Sequence, residues 1–284
     1  MTRYSPREYW TQLARDFAHD DATGFAPVLH PGTPYWFNEA IDGLQSSAWG
    51  RALDQCELGK GALLLDVGCG TGRWLRRCGQ RGLSAVGVDQ SLAMLRLARQ
   101  RATVSPLFAG EIQSLPFLDE SFDCVSGVTV VQHIPLAQQE QALGEIVRVL
   151  RPDGYLILFE LIRGHGPHVF SRTPAGWISK ASTLGLQPVL WFGQEFLLLD
   201  RLLVALLLLL RGLVWRGASQ PLPGRSQGEV DPSGLRIFAK RFYWMLRRIS
   251  VVASLWIEPL VERSCPKALA THGVFLFQKK KAMG

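Results

Sequence analysis

Three glycines at alternating positions follow a run of aliphatic residues and one aspartate. The stretch reads Leu63-Leu64-Leu65-Asp66-Val67-Gly68-Cys69-Gly70-Thr71-Gly72, which predicts a buried strand, a tight turn and then a helix. Glycine lets the backbone approach a ligand closely and adopt a positive φ where the turn needs it. The helix N-terminus behind the turn offers free N–H groups to a carboxylate or phosphate. The pattern therefore predicts a small-molecule site at the end of this strand.

A second acidic residue, Asp89, follows Gly72 by seventeen positions and ends the next predicted strand. A carboxylate at that place can accept hydrogen bonds from both ribose hydroxyls of an adenosine ligand. Nicotinamide and flavin enzymes normally carry a GxGxxG turn, whereas this chain has Asp-x-Gly-x-Gly-x-Gly. The spacing therefore disfavours those two classes.

Short apolar runs alternate with helical patterns around these motifs. This alternation predicts an α/β fold with a doubly wound, mostly parallel sheet and helices on both faces. The predicted strands of the middle third are Ala62–Val67, Ala85–Asp89, Ser105–Ala109, Phe122–Val128 and Gly154–Glu160. The predicted helices are Arg73–Gln80, Ser91–Arg101 and Leu136–Leu150. After them we predict a loop at Gly164–His168, a helix at Pro174–Leu184 and strands at Gln187–Phe192 and Gly273–Gln278.

At these motifs the sequence resembles the class I S-adenosylmethionine-dependent methyltransferases, in particular the small-molecule group that includes the ubiquinone and menaquinone C-methyltransferases. The matching stretches are Asp66–Gly72, Gly87–Asp89 with Ser91, Leu115–Phe117 with Ser121–Asp123, Val130–Ile134 and Leu150–Tyr155. The strong resemblance covers residues 61–160. It implies a Rossmann-like, seven-stranded sheet with an antiparallel last strand, and S-adenosylmethionine as the cofactor.

The resemblance also implies which residues hold this cofactor. Asp66 would hold the amino group, directly or through water, Asp89 the ribose, and Gln90 would touch the adenine. The whole set of expected cofactor contacts is Asp66, Gly68, Gly70, Gly72, Asp89, Gln90, Glu111, Ile112, Val128 and Thr129. The alternative is that the glycines serve only a tight turn.

Two further residues are candidates for a catalytic role. Methyl transfer from a sulfonium is an in-line displacement, so positioning does most of the work, and a base is needed only when the acceptor must lose a proton. His133 follows the fourth strand and Glu160 ends the fifth, at the sheet edge where such folds bind ligands. The family often carries this histidine without using it as a base, and the alternative for Glu160 is a cap or an ion pair.

Aromatic residues and histidines supply the candidates for the substrate side. His165 and His168 form an HxxH pair without a third ligand nearby, so we expect substrate contact or exposure and no metal site. In the N-terminal segment, Tyr4, Tyr35 and Trp36 either line the substrate pocket or pack a helical cap onto the sheet. The later helical pattern adds Phe242 and Met245 as candidates.

The last third of the chain has an unusual composition. Phe196–Val214 is almost entirely leucine and valine, Pro221–Gly234 looks like an exposed loop, and Leu235–Glu258 places basic and aromatic side chains on opposite helical faces. This insert is predicted to be a lid around a hydrophobic substrate or an in-plane membrane contact, since its first part is short for a bilayer span. We divide the sequence into a helical cap (1–60), a cofactor-binding core (61–194), the insert (195–262) and a last strand with a basic tail (263–284).

Charge and cysteine content bound the function further. The net charge is +7, and residues 161–284 carry 17 basic and 6 acidic side chains, which suits an anionic membrane, an anionic substrate or nucleic acid. Five scattered cysteines and the absence of a signal pattern at the N-terminus predict a cytoplasmic protein, with membrane association at the cytoplasmic face as an option. Nucleic acid is disfavoured, because the basic residues alternate with leucine and tryptophan and no RNA-binding module is recognisable.

The resulting prediction is a methyltransferase that acts on the oxygen or carbon of a hydrophobic small molecule, lipid-like, prenylated or a natural product. The alternatives are an RNA methyltransferase and a non-catalytic partner subunit with this fold. The sequence leaves the substrate, the acceptor atom and the oligomeric state open.

Overall fold

A computed structural model of the chain describes residues 4–17, 25, 27–101, 104–217 and 232–280. The chain divides into two compact units, the first made of residues 1–195 and 266–284 and the second of Phe196–Cys265. Each unit is described separately.

A seven-stranded sheet forms the centre of the first unit. In chain order its strands are β1 (Leu63–Val67), β2 (Ser84–Asp89), β3 (Leu107–Ala109), β4 (Phe122–Val128), β5 (Leu150–Leu161), β8 (Leu186–Gln194) and β9 (His272–Lys279), and a separate hairpin is formed by β6 (His165–Gly166) and β7 (Val169–Phe170). The spatial order is β3-β2-β1-β4-β5-β9-β8. The last strand, β9, is antiparallel to both of its neighbours. All neighbouring pairs among strands β1 to β5 are parallel. The predicted α/β class with an antiparallel last strand is confirmed.

Helices flank this sheet. They are α1 (Pro6–Asp16), α2 (Tyr35–Leu53), α3 (Arg73–Gln80), α4 (Leu92–Gln100), α5 (Leu136–Val149) and α6 (Pro174–Thr183), with short 3-10 helices at Val131–His133 and Lys267–Leu269. Side-chain caps fix where three of them begin, because an orphan N–H of the first turn needs an acceptor. The hydroxyls of Ser5, Ser91 and Thr173 accept these bonds from Glu8, Met94 and Gly176.

The core lies between the central strands and α2. Trp49 of α2 is 1% exposed and donates its indole N–H to the Ser126 hydroxyl of β4 over 2.9 Å. This bond satisfies the one polar atom of a large buried ring. It holds the helix next to the strands that carry the glycine loop.

Several predicted boundaries shift by one or two residues, and two differences are larger. The predicted loop at Gly164–His168 contains strand β6, because His165 pairs with Phe170 in a short hairpin. Strand β5 begins at Leu150, four residues before the predicted Gly154, and its register against β4 shifts between Phe122 and Cys124. Asp153 has a φ of +62° there. The turn-forming residues before Gly154 are therefore part of an irregular first section of strand β5.

The chain leaves and re-enters the first unit at neighbouring strand ends. Gln194, near the end of β8, pairs with His272 at the start of β9. The hydroxyl of Thr271 donates to the carbonyl oxygen of Glu195 over 2.8 Å. The Glu195 carboxylate accepts a bond from the Gln45 amide at 2.7 Å and contacts Nδ1 of His272 at 3.0 Å. This buried cluster connects the points where the chain leaves and re-enters the first unit.

The second unit contains two helices, α7 (Leu198–Gly217) and α8 (Pro232–Ser264). Most of the predicted loop Pro221–Gly234 lies outside the described residues. The face of α8 predicted to be basic is partly turned toward α7, because Arg247 and Ser254 bond to Asp200 of α7 and Glu258 bonds to Phe196, just before it. Within the described part of the chain, none of the helices has the length and apolar character needed to cross a bilayer.

Candidate active site

The glycine loop joins β1 to α3 and leaves no room for side chains. Gly68, Gly70 and Gly72 have φ values of +63°, +51° and +74°, which strain any residue other than glycine. A Cβ atom at Gly68 would lie 2.6 Å from Cγ2 of Val130. Backbone N–H groups can therefore form the floor of a cleft, where a ligand approaches the main chain directly.

Asp89 ends β2 beside this loop. Its Oδ2 accepts a hydrogen bond from the Gly70 N–H at 2.9 Å, and its Oδ1 accepts one from the Ser91 N–H at 2.8 Å. Burial raises the pKa of the carboxyl to about 6, while the two backbone bonds act in the opposite direction. Each carboxylate oxygen can accept more than one bond, so Asp89 can also bind ribose hydroxyls.

Asp66, the last but one residue of β1, is 1% exposed. Neither of its carboxylate oxygens has a hydrogen-bond partner among the described residues. Burial raises the pKa of this carboxyl well above its usual range, the Arg73 charge lowers it and the Asp89 charge raises it further. An unpaired buried carboxylate is costly. The residues present therefore fit a ligand with a cationic amine, such as S-adenosylmethionine, bound directly or through water.

The loop opens into a cleft that is continuous with solvent. Of the predicted cofactor and catalytic residues, those that line it are Gly68, Gly70, Asp89, Gln90, Ile112, Val128, Thr129 and His133. Asp66 and Gly72 belong to the same strand and turn without lining the cleft, and Gly72 is the N-cap of α3. The side chain of Glu111 instead forms an exposed ion pair with Arg7 at 2.7 Å.

Several lining residues were not expected from the sequence. They are Pro6, Trp10, Val28, Cys69, Thr71, Arg73, Trp74, Val88, Met94, Gly110, Gln113, Val130 and Ile134. Thr71, Arg73 and Trp74 could have been found from their place beside the glycine loop. Trp10 and Val28 could not, because no local signal says which residues of the N-terminal segment meet the sheet.

His133 lines the cleft with both of its ring nitrogens engaged. Nδ1 lies 2.8 Å from the carbonyl oxygen of His168 and must donate to it, since a carbonyl can only accept. The Gln132 side-chain oxygen accepts from the Leu161 N–H, so the Gln132 amide donates to Nε2 of His133 over 3.2 Å. Burial lowers the pKa of His133 to about 4. This geometry defines a neutral, oriented imidazole whose lone pair is already used.

Glu160 is fully buried and lies at the end of β5. Its carboxylate accepts bonds from three successive backbone N–H groups, those of Val130, Val131 and Gln132, at 3.2, 2.9 and 3.0 Å. The carboxylate thereby caps the 3-10 helix that ends in His133. Burial raises its pKa to about 7, and the three bonds oppose that shift. This arrangement favours the cap that the sequence left as the alternative to a catalytic role.

The predicted substrate residues lie in different places. Tyr4 donates its hydroxyl to the His133 carbonyl over 3.2 Å, and the His168 ring stacks on His133 with ring centroids 5.6 Å apart. Both therefore adjoin the cleft. Tyr35 and Trp36 contact neighbouring residues of α2, Glu39 and Phe37 respectively.

For the three remaining substrate candidates, the structure gives no contact with the cleft among the described residues. The side chain of His165 lies outside what the structure describes. Phe242 and Met245 are each about half exposed on α8 of the second unit. Their substrate contacts stay predictions.

Residues 65–158 match a family model described as a methyltransferase domain. The demethylmenaquinone methyltransferase of Renibacterium salmoninarum is 32% identical over 124 residues, 43% of this chain and 52% of the relative. The probable tRNA methyltransferase 9B of Bos taurus is 31% identical over 150 residues, 52% of this chain and 30% of the relative. The chain thus spans about half, or less, of the length of the curated relatives it matches.

Solved structures share the fold. The cyclase SpnF superposes with a TM-score of 0.58 at 18% identity and covers 96% of this chain and 94% of its own. A SAM-dependent methyltransferase from Archaeoglobus fulgidus has a TM-score of 0.52 at 16% identity, covering 87% of this chain and 100% of its own. At these identities the likeness shows the fold alone. Residues 65–158 of this chain are therefore similar to a methyltransferase domain, and the sheet that contains them has the fold of these solved structures.

Proposed function

We propose that this protein transfers a methyl group from S-adenosylmethionine to a hydrophobic small molecule. The observation that carries the proposal is the composition of the cleft. Of the described residues that line it, only Arg73 and Asp89 are charged, and Arg73 is already paired with Asp42 over 3.1 Å. A cleft with aromatic and aliphatic walls and few polar groups suits an apolar ligand.

The cofactor supplies a methyl group already activated by the sulfonium charge. The chain's own residues then have to bind the acceptor, orient it toward the methyl group and exclude water from the cleft. The glycine loop and Asp89 hold one end of the cleft. Trp10 packs edge-on against His133 with ring centroids 4.9 Å apart, and these two rings form an aromatic wall for the acceptor.

Asp89 is the one carboxylate among the described residues that line the cleft, and it accepts from Gly70 and Ser91 and is assigned to the ribose. Because Nε2 of His133 accepts from Gln132 and Glu160 is held by backbone N–H groups, neither is poised to take a proton. The acceptor that fits best presents a nucleophilic oxygen or carbon that is already ionised, such as a phenolate, an enolate or a carboxylate.

The test is methyl transfer from labelled S-adenosylmethionine into organic-extractable acceptors, together with calorimetric binding of the cofactor. We expect binding by the wild type, a loss of about ten- to a hundredfold in affinity for Asp89→Ala, and near wild-type affinity for the control Asp54→Ala, which removes an exposed, ion-paired aspartate outside the cleft. Failure of the wild type to bind the cofactor would contradict the proposal. Binding without transfer to any extract would support a non-catalytic subunit instead.

A second candidate is methylation of RNA. Two observations favour it: the tRNA methyltransferase relative and the basic excess of residues 161–284, with 17 basic and 6 acidic side chains. The same labelling reaction, run with total RNA, separates the candidates. If the label is found in a nuclease-sensitive fraction and not in the organic phase, the acceptor is RNA and the hydrophobic small molecule is rejected.

A further inference from the structure

The second unit has a polar interior seam. Asp200 of α7 is 3% exposed and lies between two side chains of α8. Arg247 binds both of its carboxylate oxygens, and Ser250 donates its hydroxyl to Oδ1 over 2.9 Å. A paired and hydrogen-bonded carboxylate of this kind is stable without water.

The same face of α8 caps the start of α7. Glu258 accepts hydrogen bonds from the N–H groups of Phe196 and Leu197 at 2.7 and 3.1 Å, and Ser254 accepts one from the N–H of Asp200 at 3.1 Å. The four residues of α8 in this seam recur at intervals of three or four, and are Arg247, Ser250, Ser254 and Glu258. Polar groups therefore join the two helices where apolar groups usually do.

The opposite face of α8 is apolar and exposed. We call it the apolar stripe, and it consists of Met245, Ile249, Val252, Trp256 and Leu260, which are between 45% and 82% exposed. On α7, Leu202, Leu206 and Leu209 are also more than half exposed. An exposed run of large apolar side chains of this extent marks an interaction surface.

Positive charge borders the apolar stripe. Arg241 and Arg248 are exposed and lie one helical turn from Met245, on its N-terminal and C-terminal sides. Residues 196–265 carry ten basic and five acidic side chains, and two of those acids, Asp200 and Glu258, are used inside the seam. Arg247 is used there as well, so the sequence of this segment has nine basic and three acidic residues outside the seam.

From this arrangement we infer that the second unit binds the surface of an anionic lipid bilayer, with α8 lying in the plane of the interface. The apolar stripe enters the boundary between headgroups and acyl chains, and the bordering arginines contact anionic headgroups. A second copy of the chain fits less well, because a symmetric contact through the stripe would bring the arginines of both copies together. This inference does not depend on methyl transfer.

The experiment is co-flotation of the full chain with vesicles of phosphatidylcholine alone or with phosphatidylglycerol. We expect flotation with the anionic vesicles that is lost in about 1 M salt, where the Debye length is about 3 Å. Arg241→Ala with Arg248→Ala should weaken binding about 25-fold, since each basic residue near such a surface contributes about fivefold. Trp256→Glu should remove binding at any salt concentration.

Leu118→Glu is the matched control, because Leu118 of the first unit is as exposed as Trp256, at 82%. It should float like the wild type. Circular dichroism and cofactor binding, measured on every variant, show that the first unit is intact, so a failure here is separable from a failure of the proposed function. Three results would overturn the inference: no flotation at low salt, equal flotation of Trp256→Glu, or a solution dimer that Trp256→Glu dissociates.

Discussion

Acidification should weaken cofactor binding through Asp89. The carboxyl has an ordinary pKa of 3.8, which burial raises to about 6 in the folded protein. The ionised form is the acceptor that ribose hydroxyls need. Protonation turns one oxygen into a donor, so binding should select the ionised form.

The size of the effect follows from that pKa. If only the ionised form binds, the apparent dissociation constant rises in inverse proportion to the ionised fraction, which gives almost no change above pH 7 and about a tenfold loss of affinity at pH 5. The unliganded protein should show the opposite trend. A raised pKa contributes stability that is present below pH 3.8 and is lost as the pH rises through about 6, a change of about 3 kcal/mol for this one group.

Isothermal titration calorimetry between pH 5 and pH 8 measures the affinity, and urea unfolding over the same range measures the stability. Asp89→Asn is the control, since it cannot ionise. It should bind weakly with an affinity that no longer follows this titration. A wild-type affinity that is constant from pH 5 to pH 8 would refute the reasoning, and a slope retained in Asp89→Asn would assign the titration to another group.

Three other substitutions test the same site. Glu160→Ala leaves three backbone N–H groups unbonded and should lower the free energy of unfolding by about 2–4 kcal/mol; unchanged stability with a hundredfold loss of turnover would restore a catalytic role. His133→Gln should reduce turnover less than tenfold, because the Nε2 lone pair is engaged. A loss of about 10²–10⁴-fold would identify a general base. Asp66→Asn should raise the free energy of unfolding of the unliganded protein by about 1–2 kcal/mol at pH 8 and lower the calorimetric affinity for the cofactor. A lower free energy of unfolding would contradict the conclusion that the Asp66 carboxylate is unpaired.

Local rules were sufficient for the elements that carry the glycine loop. Helix Arg73–Gln80 and strand Phe122–Val128 have the bounds that the sequence predicts. Helix α4 begins one residue after the predicted Ser91, whose hydroxyl accepts from the Met94 N–H as the N-cap. In these segments the hydrophobic period, the caps and the glycines all specify the same structure.

Long-range partners could not be predicted in the same way. The three N–H groups that hold Glu160 come from a segment about thirty residues earlier in the chain, and no periodicity encodes that meeting. The inward turn of Arg247 is a second case. A helical pattern says which residues share a face, but the partner helix decides whether that face meets solvent or Asp200.

The buried cluster of Thr271, Glu195 and His272 has a consequence for the tolerance of this chain to insertions and deletions. Because neighbouring strands pair at the two ends of Phe196–Cys265, that segment is topologically an enlarged hairpin loop, and the entropy of closing a loop grows only slowly with its length. Such a segment can be shortened, exchanged or recombined as a cassette while the register of β8 and β9 is preserved. Changes within it leave the glycine loop in place, because that loop is built entirely from other parts of the chain.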